Sequence, residues 1–138
     1  MSVAPSLIDS LRTKCEERRL DFEKIYSIYE KNIGSEQPVA YCFGEGMPPD
    51  NPETLLDLLV ISQRYAFGME IKPDYKNTNL IKLSEIKAVR VELFQDRIKI
   101  ILLIDPLGLG LYLNNRLENA DSVWAIAAEL RMRMAKWA

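Results

Sequence analysis

Along residues 55–72, LLDLLVISQRYAFGMEIK, apolar positions crowd both sides of a polar island at Ser62, Gln63 and Arg64. A helix here would be apolar on every face, and Leu59-Val60-Ile61 and Tyr65-Ala66-Phe67 prefer strands. One strand would far exceed the usual length of about five or six residues. The pattern therefore predicts a β-hairpin, LLDLLVI paired with YAFGMEI across the island. Before it, Val39 to Phe43 forms a short strand, and GEGMPPDNP at 44–52 has the glycine and proline density of a loop. After it, KPDYKNTN is a polar connection and Leu80 to Leu83 opens a new apolar segment.

Two further strands follow from alternation. Val89, Val91 and Leu93 share one face of the first, and Ile98, Ile100, Leu102 and Ile104 share one face of the second. Asp105-Pro106-Leu107-Gly108 suits a tight turn, so Leu109 to Leu113 returns antiparallel. Asn114-Asn115 leads, with Asn119 and Asp121 as caps, into a terminal helix at about 119–136 whose core face carries Val123, Ile126, Ala127, Leu130 and Met134. At the other end, Leu7 to Ile33 contains neither proline nor glycine, with Pro5 ahead and Gly34 behind. One helix of about 27 residues would be about 40 Å long, and a break near Arg18-Arg19 is the alternative. Its stripe writes as a heptad with Leu11, Arg18 and Ile25 at a and Ile8, Cys15, Phe22 and Tyr29 at d, and packing against the chain's own domain explains it as well as a coiled coil does. The change of character after Gly34 divides the chain into an N-terminal helical extension, 1–36, and a main body, 37–138.

Composition removes several classes of chemistry. The chain has 138 residues, 48% hydrophobic and 28% charged, as expected of a globular domain with its own core. A net charge of −2 argues against nucleic acid as a partner. Histidine is absent, which eliminates histidine-based nucleophile pairs, general bases and metal sites. The two cysteines, Cys15 and Cys42, fit neither a disulfide framework nor a ligand spacing. GLGL at 108–111 has the glycines of a hairpin rather than of a phosphate loop. Glu45, Asp50 and Glu53 lack regular ligand spacing, and Arg12, Lys14, Arg18 and Arg19 are interleaved with acids. We expect no catalytic residues, cofactor or metal. No apolar stretch reaches the length of about 18 residues that a membrane span needs, and no secretory pattern opens the chain, so a cytoplasmic location is expected.

Four segments in order, LLVISQRYAF, IKLSEIKAVRVE, IKIILLIDPLGLGLYL and NADSVWAIAAEL, resemble a PH-like domain of the bacterial or GRAM-related kind over about residues 37–138. The resemblance implies an α+β fold, a bent antiparallel sheet or partly open barrel of about seven strands closed by the C-terminal helix. The long N-terminal helix lies outside the family pattern. The resemblance also implies an interaction module rather than an enzyme. Inositide-binding members cluster basic residues at the first hairpin, where this chain has only Arg64, with Asp50, Glu53 and Asp57 preceding. The expected function is therefore a non-enzymatic protein-interaction or scaffold module, with a protein partner or self-association through the N-terminal helix. The expected contact residues are Leu11, Phe22, Ile25 and Tyr29, joined by Trp124 at the border of the terminal helix stripe. Peripheral lipid binding is the alternative, and a small acid–base enzyme ranks third.

Overall fold

The computed structural model describes residues 4–45, 54–104 and 110–137, with side chains for 7–45, 54–104 and 110–135. The architecture is α+β, with two antiparallel sheets, two N-terminal helices and one C-terminal helix. Helices α1 (Ala4–Glu17) and α2 (Phe22–Ile33) precede strands β1 (Pro38–Phe43), β2 (Leu56–Ser62), β3 (Tyr65–Lys72) and β4 (Tyr75–Lys82). Strands β5 (Ala88–Phe94), β6 (Arg97–Leu103) and β7 (Gly110–Arg116) follow, and α3 (Ala120–Trp137) ends the chain. The sheets have orders β1-β2-β3-β4 and β5-β6-β7, and among the described residues they do not close into a barrel. They meet where β1 runs out against β7: Asn115 Nδ2 donates to the Phe43 carbonyl at 2.6 Å, and the Glu45 amide donates to the Asn114 carbonyl at 2.9 Å.

The hairpin read from residues 55–72 is present as β2 and β3, with Gln63 and Arg64 at its turn. Ser62 Oγ accepts from the Tyr65 amide at 3.0 Å, and Arg64 pairs with Glu36 at 3.1 Å, tying the turn to the lead into β1.

Three expectations are corrected. The single N-terminal helix is two helices. Arg19 adopts a left-handed φ of 58°, the Leu20 amide returns to the Cys15 carbonyl at 2.8 Å, and Asp21 caps α2 through the Lys24 amide. The first helix thus ends in a left-handed turn at Arg19, and the second begins at Phe22 behind its cap, Asp21. The polar segment around Tyr75 to Asn79 is strand β4, in full register with β3 from Tyr65↔Lys82 to Lys72↔Tyr75. It needs no apolar run because it is the outer strand of its sheet. Asn114 and Asn115 belong to β7 rather than to a lead-in. The Asp105-Pro106-Leu107-Gly108 turn, Asp50, Glu53 and most of the 44–52 loop lie outside the described residues.

Side-chain parity sorts the four-stranded sheet into two buried faces. Leu56, Leu58, Val60, Phe67, Met69 and Ile71 face α1 and α2, packing with Leu7, Leu11, Cys15, Ile25, Tyr29 and Ile33. Leu59, Ile61, Ala66 and Ile81 face the second sheet and α3, where they meet Ile98, Ile100, Leu102, Val123, Ile126 and Leu130. A sheet covered on both faces explains why β2 and β3 read as nearly continuous apolar runs.

Candidate functional site

The expected contact residues divide sharply between core and surface. Leu11, Ile25 and Tyr29 are buried against the chain's own sheet. Phe22 is half-buried, stacked on Tyr26 at 5.5 Å with the Arg12 guanidinium 4.5 Å from its ring centre. Of the two readings of the helical stripe, the structure shows docking on the chain's own sheet for these residues: β2 and β3 present a second apolar face that the C-terminal helix cannot reach, and the stripe covers it. Trp124 stands apart from them, 42% exposed.

Trp124 lies beside a free strand edge. Strand β5 pairs with β6 on one side, and among the described residues no strand pairs with its other side. The two-residue turn at Gln95 and Asp96 closes on the pair Phe94↔Arg97, so Val89, Val91 and Leu93 turn their backbone groups outward. One such group is engaged: Arg131 Nη2 on α3 donates to the Val89 carbonyl at 3.2 Å. The start of α3 sits at the other end of β5, where the Leu117 amide donates to the Asp96 carbonyl at 2.7 Å. The helix therefore runs antiparallel to β5.

Trp124 precedes Arg131 by seven residues, two helical turns or about 10 Å, and so shares its flank. That places it level with Val91 to Leu93, which lie about 7–13 Å along the strand from Val89. Leu93 is 59% exposed and Phe94 68%. Outward backbone groups at Val91 and Leu93, the exposed Leu93 side chain and the exposed Trp124 thus lie along one edge of the second sheet, while Phe94 points to the sheet's other face.

A second feature escaped the sequence reading. Asp57 on β2 stands opposite Glu70 on β3, and Glu70 stands opposite Asn77 on β4. This polar row ends the inter-sheet core on the side away from α3. Burial, reinforced by the Glu70 charge, pushes the Asp57 carboxyl up to about 7. The signal was an acid inside each of two otherwise apolar strands, LLDLLVI and GMEIK, but only the register shows that they meet.

Other chemistry is sparse. Cys15 and Cys42 are free and buried, and burial raises both thiols, Cys42 to about 12, so neither is poised to react. Among the described residues no group of three or more acidic or sulfur ligands could hold a metal ion, and no helix is long and apolar enough to cross a membrane. The chain matches no protein-family model, no curated protein and no solved structure.

Proposed function

We propose that the chain is a PH-like, non-enzymatic interaction module that takes an extended segment of a partner protein along the free edge of β5, beside α3. The observation that carries this reading is the open edge at Val91 and Leu93 lying level with the exposed Trp124. An unpaired strand edge supplies affinity through main-chain hydrogen bonds, while neighbouring side chains select the sequence. Tryptophan next to an apolar strip is the residue type most often found at the energetic centre of an interface. The PH-like assignment is supported by a four-stranded and a three-stranded antiparallel sheet with one helix packed across β1, β5 and β6. The N-terminal helices stabilise the module rather than recruit its partner.

Capture of binding proteins from the native host by the wild-type chain, Trp124→Ala and Val91→Pro tests this. Proline at an edge position removes an outward amide without breaking a sheet bond. Both variants should remain folded by circular dichroism and lose the same captured protein. Capture unchanged in both would overturn the assignment, as would inositide-dependent co-sedimentation with liposomes that weakens with salt.

A further inference from the structure

The row Asp57–Glu70–Asn77 borders a cleft of about 160 Å³ at the open end of the inter-sheet core. Its floor is the next row inward, Leu59–Gly68–Asn79, and its far wall comes from Leu111 and Leu113 of β7. The space matches a cavity that accepts a guest the size of benzene. Carboxylates at the mouth and leucines behind them give the cleft two chemically distinct ends.

The negative end has no internal counter-ion among the described residues. Among the described residues no donor or cation reaches the Asp57 or Glu70 side chains. Lys72, on the same face and one row further out, holds its ammonium 5.9 Å from the centre of the Tyr75 ring. Arg116, beyond Asp57, is taken by Glu45 at 2.8 Å. Asp57 also lines a smaller cavity on its other side, where the buried Thr54 Oγ1 has no hydrogen-bond partner among the described residues. Two adjacent carboxylates partly removed from water and left without a cation are unfavourable unless something positive joins them.

We propose that this cleft binds a small aliphatic ammonium ion, its head on Asp57 and Glu70 and its carbon chain along Leu59, Leu111 and Leu113. Asn77 and Asn79 line the cleft along β4, where their side-chain carbonyls can accept further N–H bonds. A divalent metal fits less well, because two carboxylates fall short of the oxygen set it requires and the leucine wall has nothing to offer it. A neutral alcohol of the same length would fill the apolar end and leave the charge unmet.

The test is titration of n-butylammonium chloride into the full chain, followed through the backbone amide resonances of Leu59, Gly68 and Leu111. Saturable shifts are expected, with n-butanol at least tenfold weaker. The double variant Asp57→Asn, Glu70→Gln should weaken butylammonium at least tenfold. These substitutions keep side-chain volume and remove a repulsion, and the amine–alcohol comparison on the unaltered chain stands without them. Equal shifts from alcohol and amine, no saturable shift, unchanged binding by the variant, or displacement of the amine by millimolar calcium chloride would each overturn the proposal.

Discussion

The ring of Tyr29 on α2 meets that of Phe67 on β3 edge to face, with centroids 5.9 Å apart and planes at 82°. This contact joins the helical extension to the centre of the four-stranded sheet, and both residues are buried. Replacing Tyr29 with alanine should destabilise the chain by roughly 3 kcal/mol, the usual scale for removing a buried aromatic. Urea unfolding would read this, and light scattering should show no change in mass. An oligomer that dissociates while stability stays the same would mean that Tyr29 faces another chain.

Trp124 should behave in the opposite way. Leu130 is fully buried on the core face of the same helix. Leu130→Ala is expected to cost about 2–5 kcal/mol, whereas Trp124→Ala should stay within about 1 kcal/mol. Paired thermal melts distinguish the two, and a loss at Trp124 as large as that at Leu130 would show that its ring belongs to the core.

Gly68 is fixed by the approach of the second sheet. A Cβ there would lie 2.5 Å from Leu111 Cδ1. Gly68→Ala should destabilise by about 1–3 kcal/mol through overpacking. Shortening Leu111 to alanine makes room for the added methyl, so the double variant should be more stable than the sum of the two single losses. Strict additivity in urea midpoints would contradict the contact.

Asp57 gives stability a pH dependence of definite sign. Its folded carboxyl is raised from 3.8 to about 7, so between these values the folded state holds more protons than the unfolded state. The Asp57 contribution therefore falls as pH rises through this window. Asp57→Asn removes that contribution, so the variant should gain on wild type as pH rises from 4 to 8 in urea unfolding. Each tenfold gain in proton affinity that survives solvent screening is worth about 1.4 kcal/mol at pH 8. A gap that stays constant over the window would rule this out.

Arg19 holds the left-handed conformation that separates α1 from α2. Arg19→Gly should raise stability slightly, and the β-branched Arg19→Val should lower it by about 1–2 kcal/mol. A loss of stability in Arg19→Gly would argue for a continuous helix, where interior glycine costs about 1 kcal/mol.

Local pattern alone made several elements legible. The β2–β3 hairpin, the alternation of Ile98, Ile100 and Leu102, and the stripe of Val123, Ile126, Ala127 and Leu130 all follow from a side-chain period that neighbouring residues impose. Alternation reports that a face is buried without naming what buries it. Leu11, Ile25 and Tyr29 read equally as a partner surface or as core, and only the packed sheet put them on β2 and β3. Strand β4 was illegible because an edge strand is held by main-chain bonds to its neighbour, which polar side chains neither supply nor forbid. The meeting of Asp57 with Glu70 depends on strand register, and the level of Trp124 with Leu93 on the direction of α3 against β5. Each relation links residues far apart in the chain, so it arises when the elements pack and has no period in the sequence to announce it.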